Sequence, residues 1–388
     1  MSVGAPPQLT LLAAALIAAL APRVEAQGAP RYRATVLDVE GAGSREGPAG
    51  RFWFPDWPWP ADVDREHAWE VDPRTYATRA RSAGELVVGE VEALRPGGQR
   101  PVRPLVWDRR LRYQSLGAGR ELLGVSRGGL RFERTGVDRV EVVDGRRRER
   151  LDLRGIEGWS PAASNGEGLV LGTGRRGGEE LLTVMEVRRG RVTGMRTMPL
   201  RFRPRDVDPS GWVIGSADGA PVVFGPLLRD GRLLPQARLD ELAPRIWRGP
   251  ARAELVAFAG RDIVGHVPGG GGRSAAHLWP LDPRATEVGG ESEALPAGEG
   301  PATVVAANSA GEVLGRVGGR PVLWQRKAQG WQRVDLRRAL VAPAGLELIE
   351  VAGIDERGAI VGTANLVHPP SGDSYQRAVR LFRRRGVD

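Results

Sequence analysis

The sequence predicts an all-β fold built by repetition of one four-stranded unit, and three observations lead to this prediction. A phrase of two or three apolar residues closed by glycine recurs seven times along the chain. The high numbers of glycines (54) and prolines (30) favour short strands and turns over long helices. The chain also lacks the long helical periodicity that a doubly wound α/β fold requires.

The recurring phrase is predicted to be a short strand that is buried on both faces, because its apolar residues are consecutive and often β-branched. Successive closing glycines lie roughly 35 to 50 residues apart, which is the repeat length of sheet-based arrays. The seven phrases are GELVVGE (84–90), GRELLGV (119–125), GEGLVLGT (166–173), GWVIGS (211–216), GRDIVGH (260–266), GEVLGRV (311–317) and GAIVGT (358–363).

The residues around each phrase supply the other strands of the unit. A turn signature precedes the phrase, as in NSAG (308–311) and DERG (355–358). Asn or Asp opens such turns through its side chain, and glycine takes the position of positive φ. An apolar stretch precedes the turn, and a later element ends in Asp-Leu, as in WQRVDL (331–336). The strand between phrase and Asp-Leu element ends in an aromatic residue: Trp107, Phe224, Trp279, Trp324 and Phe382.

Radial repetition of four-stranded antiparallel sheets is the β-propeller architecture. The seven phrases predict a seven-bladed propeller that occupies residues 27–388 as one domain, with six or eight blades as the alternative. The last unit stops before a fourth strand, whereas RYRATVLDV (31–39) has the ending expected of one. We therefore predict that the N-terminal strand completes the last blade and closes the ring.

The succession of these motifs resembles the HAF-repeat extracellular proteins of bacteria, from about Arg31 to Arg385. The segments NSAGEVLGRVGGRPVLW (308–324) and AHLWPLD (276–282) match that pattern best, whereas the second unit is short. The resemblance implies an exported propeller, and it carries over no catalytic residue.

Residues 1–26 are predicted to be a secretory signal peptide. They contain the apolar run LTLLAAALIAAL, and Val24-Glu25-Ala26 gives the small-x-small pattern before Gln27. An uncleaved anchor is the alternative, because no Lys or Arg precedes the apolar run. We expect a secreted or periplasmic protein without a membrane span after signal cleavage, since no other apolar run is long enough.

The composition narrows the possible partners and chemistry. The net charge is +9, and almost all of the basic residues are arginines, with Lys327 as the single lysine. Such a preference for arginine over lysine is typical of GC-rich genomes. On an exported protein a basic surface indicates anionic envelope polymers, and we expect a monomer with no nucleic-acid partner. The absence of cysteine excludes thiolate chemistry and Cys-based zinc sites.

Three motifs that resemble catalytic or ligand-binding signatures fall on the repeat. The first, GVSRG (124–128), resembles a nucleophile elbow, but a strand follows it and Gly124 is assigned as the repeat glycine. The second, GTGRRG (172–177), lacks the helix and acidic residue of a dinucleotide site. The third, DVDPSG (206–211), has Ala217 where a calcium loop needs glutamate.

The histidines complete the search for chemistry. His67, His266 and His368 fall in predicted loops and stay open as site residues, whereas His277 precedes a predicted strand. Their spacing does not match a metal site. We predict no catalytic residue, no metal and no cofactor.

The predicted topology assigns the loops to two ends of the sheets. The variable-loop face carries the loops between second and third strands together with the crossings between units. The turn face carries the short turns between first and second strands. Loops of variable length on a rigid scaffold are the usual location of binding sites.

The segment RFWFPDWPWP (51–60), in an insert at about residues 40–74, belongs to a crossing on the variable-loop face. Its prolines exclude a central strand. Two interpretations stay open: a lid packed on the propeller, or a platform that stacks against sugars or clamps a peptide. The candidate binding residues are Phe52, Trp53, Phe54, Trp57, Trp59 and His67.

These observations predict a non-catalytic exported propeller that binds a polysaccharide or a partner protein on its variable-loop face. The alternative is a propeller enzyme, a polysaccharide hydrolase or lyase, that uses loop carboxylates, His67 or Tyr76 at the channel mouth. A scaffold without a ligand is a third possibility.

Overall fold

Most of the repeated units fold into antiparallel sheets with short connections. The computed structural model describes residues 31–36, 45–47, 51–53, 81–83, 86–92, 102–108, 116, 120–136, 139–145, 147–341, 346–367 and 374–383. Those from Arg31 onward belong to one compact unit. Within them the fold is all-β, and the helices are α1 (Gln236–Asp240), α2 (Leu336–Ala339) and a 3₁₀ turn at Gly270–Gly272.

The described strands form seven sheets of three or more strands, together with short two-stranded pairs. The N-terminal strands are β1 (Tyr32–Val36), β2 (Arg45–Gly47) and β3 (Arg51–Trp53). Sheet 1 contains β4 (Arg81–Ala83), β5 (Leu86–Glu92) and β6 (Val102–Asp108). Sheet 2 contains β7 (Glu121–Val125), β8 (Arg131–Arg134), β9 (Val140–Asp144) and β10 (Arg147–Arg150). Sheet 3 contains β11 (Glu157–Ser164), β12 (Leu169–Arg176), β13 (Glu179–Arg188) and β14 (Arg191–Pro199).

The second half of the chain continues the series. Sheet 4 contains β15 (Arg203–Val207), β16 (Val213–Ala217) and β17 (Ala220–Phe224), and the hairpin β18 (Leu228–Arg229) and β19 (Arg232–Leu233) follows it. The short strand β20 (Ile246–Trp247) pairs in parallel with β24 (Glu287–Val288). Sheet 5 contains β21 (Glu254–Ala259), β22 (Asp262–Pro268), β23 (Ser274–Pro280) and β25 (Glu293–Ala294). Sheet 6 contains β26 (Ala302–Ala307), β27 (Val313–Val317), β28 (Arg320–Lys327) and β29 (Gly330–Asp335). Sheet 7 contains β30 (Leu340–Val341), β31 (Leu346–Ile354), β32 (Ile360–Val367), β33 (Ser374–Arg383) and β1.

Neighbouring sheets meet through their first strands. Strand β7 contacts β11, and the series continues from β11 to β15, β21, β26 and β31. The last of these, β31, contacts β4, the first strand of sheet 1. The buried apolar side chains lie between successive sheets, as where Val264 of sheet 5 packs in one cluster with Val313 and Trp324 of sheet 6. The last sheet therefore returns to the first.

The N-terminal strand completes the last sheet, as the sequence predicts. Strand β1 pairs antiparallel with β33, from Tyr32 opposite Arg383 to Val36 opposite Val379. The Tyr32 side chain is fully buried. The predicted pairing of the two chain ends in one sheet is confirmed.

A β-bulge in the first strand explains the repeat glycine. In sheet 5 the pairing of β21 with β22 shifts between Leu255 and Ala257, directly beside the pair Leu255–Gly265. A Cβ atom on Gly265 would lie 2.1 Å from the carbonyl oxygen of Glu254. The same bulge lies beside the repeat glycine in sheets 3, 4, 6 and 7. In sheets 4 to 7 glycine is therefore required because a first-strand carbonyl oxygen approaches too closely for any side chain, whereas in sheet 3 a Cβ atom on Gly172 would collide with the Trp159 ring.

The predicted turns are also present. The Asn308 Oδ1 atom accepts a hydrogen bond from the Glu312 N–H at 3.0 Å, and Gly311 has a φ of 78°. Asp355 Oδ1 accepts from the Ala359 N–H at 2.8 Å in the equivalent turn of sheet 7. These side chains replace the backbone partners that a tight turn leaves unsatisfied.

The turn residues also connect one sheet to the next, which their local sequence pattern does not predict. Asn165 Nδ2 donates to the Asp208 carbonyl oxygen at 3.0 Å, and Asn308 Nδ2 donates to the Asp355 carbonyl oxygen at 3.0 Å. Gly260 N–H donates to the Asn308 carbonyl oxygen at 3.2 Å. Because these groups are buried, each hydrogen bond holds adjacent sheets at one fixed distance.

Unit 2 differs from the predicted alignment. The phrase that ends in Gly124 was expected to be the second strand, but it forms the first strand, β7, and β8 is the second. Leu122 pairs with Glu133 directly before the bulge, so Glu133 occupies the position of the repeat glycine. The prediction was wrong because Gly124 imitates the repeat phrase while the true position carries a buried, ion-paired glutamate.

Replacing Gly265 by alanine tests the bulge. The added Cβ atom would collide with the Glu254 carbonyl, so we expect the free energy of unfolding to fall by about 1–3 kcal/mol. Gly166→Ala is the matched control, because an added Cβ atom there meets nothing within 4 Å. Equal thermal unfolding temperatures for the two variants would contradict this account.

Asp208 supplies a pH test of the turns. Burial raises the pKa of its carboxyl to about 6 from an ordinary value of 3.8, against the opposing hydrogen bonds from the Trp212, Ser210 and Gly211 N–H groups. The folded protein therefore holds this proton more tightly than the unfolded chain does, and protonation stabilises the fold. This contribution to the free energy of unfolding is complete below pH 3.8 and is lost as the pH rises through about 6.

Asp208→Asn is therefore expected to stabilise the protein at pH 8 by about 1–3 kcal/mol, with the difference vanishing near pH 3.5. Thermal unfolding followed across this pH range measures the effect. Asp152→Asn, at an exposed carboxylate, is the control. A gain of the same size at both pH values would refute the explanation.

Candidate functional site

One arginine links three sheets at the turn face. Arg127, in the turn between β7 and β8, places a guanidinium nitrogen 3.0 Å from the Asp206 carboxylate of sheet 4. The other guanidinium nitrogen lies 3.8 Å from the Glu356 carboxylate of sheet 7. Asp206 is buried and also accepts a hydrogen bond from the Phe258 N–H of sheet 5 at 2.8 Å. The Arg127 side chain of sheet 2 thus contacts carboxylates of sheets 4 and 7.

The variable-loop face carries a ring of polar pairs, which we call the polar ring. Each pair consists of the residue that follows the repeat-glycine position and its partner on the first strand. The pairs are Glu121–Arg134, Ser160–Thr173, Arg203–Ser216, Glu254–His266, Thr303–Arg316 and Glu350–Thr363. The sequence contains a signal for this ring, because the residue after each repeat glycine except Gly124 is polar.

Most basic side chains of the polar ring lie beside a glutamate. Arg134 and Glu121 form an ion pair at 2.9 Å, and His266 Nε2 lies 3.3 Å from the Glu254 carboxylate. Arg316 of sheet 6 pairs with Glu350 of sheet 7. Arg203 differs from these, because its exposed guanidinium has no ion-pair partner within the described part of the chain.

A cleft opens beside Arg203, between sheets 3 and 4, with a volume of about 540 Å³. Two of its ten lining residues, Thr173 and Arg203, belong to the polar ring. The lining residues are Glu157, Gly158, Ala162, Thr173, Gly174, Arg175, Glu180, Leu200, Arg203 and Pro204. The cleft therefore lies at the end of the sheets where the sequence predicts a site.

A second irregularity of β11 shapes this cleft. The pairing with β12 shifts between Glu157 and Ser160, and Gly158 has a φ of 60°. This turns the Trp159 ring inward, where its Nε1 donates to the Thr183 hydroxyl at 2.7 Å. The Trp159 side chain is 1% exposed and packs with Phe132 of sheet 2, so Glu157 and Gly158 of the same strand are left to line the cleft.

Some ionisable groups of the cleft form ion pairs and others do not. Arg175 and Glu180 form an exposed ion pair at 3.0 Å. Glu157 and Arg203 have no ion-pair partner in the part of the chain that the structure describes. In the adjacent Glu254–His266 pair, burial lowers the pKa of His266, and the Glu254 carboxylate opposes this shift. His266 is therefore a poor cation at neutral pH. The cleft thus presents one cation, Arg203, and one carboxylate, Glu157, without an ion-pair partner among the described residues.

The aromatic candidates from the sequence lie mostly outside the described residues. The backbone of Phe52 and Trp53 belongs to β3, where these residues pair with Glu46 and Arg45 of β2. Phe54, Trp57, Trp59 and His67 lie outside the described residues, as do Tyr76 and His368. Their role stays a prediction.

The other sequence motifs lie in turns, hairpins and strands of the repeated sheets. Ser126 is buried, and its hydroxyl accepts from the Leu130 N–H at 3.0 Å, so it is a turn residue. GTGRRG leads into the hairpin between β12 and β13, as predicted. His266 and His277 lie within strands β22 and β23, so the loop assignment of His266 was wrong. Among the described residues no cluster of His, Asp and Glu is suited to hold a metal ion.

Comparisons with known proteins give distant structural likenesses. No family profile and no curated protein matches the chain. The β-propeller domain of the Trilobed protease from Pyrococcus furiosus is similar with a TM-score of 0.48 and 9% identity, over 78% of this chain and 91% of that one. A Pyrococcus horikoshii acylaminoacyl peptidase gives a TM-score of 0.44 and 11% identity over 80% of this chain, which spans about half (54%) of that peptidase.

The WD40 domain of Toxoplasma gondii coronin gives a TM-score of 0.42 and 10% identity, over 80% of this chain and 82% of that domain. Likeness at this level carries no inference about what this chain binds or catalyses. No helix within the described residues is long and apolar enough to cross a lipid bilayer.

Arg127→Gln tests whether the contacts of Arg127 with sheets 4 and 7 stabilise the protein. The substitution leaves the buried Asp206 carboxylate without its cation, so we expect a loss of about 2–4 kcal/mol in unfolding free energy at pH 8. Burial raises the pKa of Asp206, so protonation should reduce the loss at low pH. Arg261→Gln, at an exposed turn arginine, is the control. Equal unfolding curves for both variants would exclude a structural role of Arg127.

Proposed function

We propose that this chain is an exported, non-catalytic β-propeller that binds a polysaccharide or a partner protein at the cleft on its variable-loop face. The observation that carries the proposal is the position of the cleft. It lies between sheets 3 and 4 at the end with the variable loops, whereas Arg127 occupies the opposite end. Binding sites usually lie in such concave regions of a rigid scaffold.

The proposed architecture is a seven-bladed propeller in which sheets 1 to 7 are the blades. Three observations support it: the sequential antiparallel strand order of sheets 1 to 6, the contacts between first strands from sheet 2 to sheet 7 and back to sheet 1, and the pairing of β1 with β33. The resemblance to HAF-repeat extracellular proteins and the predicted signal at residues 1–26 support export to the periplasm or beyond.

A binding role agrees better with the cleft than catalysis does. A glycoside hydrolase needs one carboxylic acid and one carboxylate on either side of the scissile bond. Glu157 and Glu180 are the carboxylates that line the cleft, and Glu180 is engaged by Arg175 at 3.0 Å.

Filling the cleft tests the proposal. Thr173→Trp places a bulky ring among the lining residues, and we expect it to abolish binding of the ligand that the wild-type chain selects from a panel of polysaccharides and purified envelope proteins. Ser210→Trp adds the same ring to an exposed turn on the opposite face and should leave binding unchanged. Biolayer interferometry measures the affinities, and thermal unfolding checks that both variants fold.

Three outcomes would overturn the proposal. One is the absence of any ligand in the panel, and another is equal binding by Thr173→Trp and wild type. The third is release of reducing ends or unsaturated sugars from a polysaccharide, which would establish the enzyme instead.

A further inference from the structure

The polar ring has one uncompensated cation, and that cation faces the cleft. The Arg134, His266 and Arg316 side chains each lie beside a glutamate. Arg203 lines the cleft and has no such partner within the described residues. An exposed guanidinium without an anion is available to bind one, and its planar set of donors fits a carboxylate through two parallel hydrogen bonds.

The chain around Arg203 adds positive charge. Arg201 and Arg205 stand two residues to either side and are exposed, while Phe202 between them is buried. Neither arginine forms an ion pair with another described residue. The approach to sheet 4 is thus basic over several residues, and an anionic polymer is attracted to it more strongly than a neutral one.

The lining of the cleft favours a sugar over a protein. It offers the Thr173 hydroxyl and the Glu157 carboxylate, which bind hydroxyl groups, and it contains two glycines and no aromatic residue. Protein partners usually anchor a large apolar or aromatic side chain in a deep apolar pocket. The apolar side chains of this lining are those of Ala162, Leu200 and Pro204, and none of them is aromatic.

We infer that the cleft binds an acidic polysaccharide, with Arg203 donating two hydrogen bonds to a sugar carboxylate. Glu157 and Thr173 then accept hydrogen bonds from neighbouring sugar hydroxyls. This inference rests on the proposed function, because it specifies the ligand of the same cleft.

The experiment compares uronic-acid polymers (polygalacturonate, alginate and hyaluronan) with the same polymers after reduction of their carboxylates to alcohols. We expect at least one uronate polymer to bind the full chain about 10-fold more tightly than its reduced form. Arg203→Gln should weaken uronate binding by about 10- to 100-fold while changing the affinity for the reduced polymer little. Arg203→Lys should fall between, because lysine keeps the charge and loses the paired geometry.

Arg261→Gln is the matched control, since it removes the same charge from an exposed arginine on the turn face. Equal weakening by Arg203→Gln and Arg261→Gln would overturn the inference, because net charge would then explain the binding. Equal affinity for every uronate and its reduced form would also overturn it. Binding of a protein alone, blocked by Thr173→Trp, would overturn the inference and leave the proposed function standing; binding that Thr173→Trp does not affect would overturn both.

Discussion

Sheets 4 to 7 depend on one close approach, that of the first-strand backbone to the repeat glycine. The bulge beside this glycine adds a residue to the first strand and brings a carbonyl oxygen to the place where a Cβ atom would otherwise lie. An extra residue also reverses which side of the sheet each following residue faces. The residues before the bulge can therefore form the polar ring, while those after it lead into the buried turn.

The turns convert separate sheets into one body. An asparagine that only satisfied its own turn would need no amide donor, yet Asn165 and Asn308 both direct Nδ2 to the next sheet. Asp208 lacks that donor, and in its sheet the neighbouring Asp206 accepts from sheet 5 and pairs with Arg127. The buried polar groups of the turn face thus determine the spacing of the sheets. The loops on the variable-loop face are then free to differ from one sheet to the next.

The sequence predicts what is periodic and local. Strands, turns and the pairing of β1 with β33 follow from hydrophobic pattern and turn chemistry, which act between residues close in sequence or equivalent in the repeat. The second unit was misaligned because Glu133 stands at a glycine position. Contacts such as Arg127 with Asp206 join units that are not consecutive, and no repeat pattern specifies them. Arg203 was missed for a related reason, since its importance comes from the missing partner, which only the assembled polar ring reveals.

The pairing of β1 with β33 has a consequence for how the chain folds. The two strands are separated by nearly 340 residues of the sequence, about as far as the described residues allow, so sheet 7 cannot be completed until β33 has been synthesised. Before β1 docks, β33 has an unpaired edge, and β1 of any other copy matches that edge as well as its own β1 does. The strand that joins the two ends of one molecule is therefore also the element through which two molecules would exchange strands.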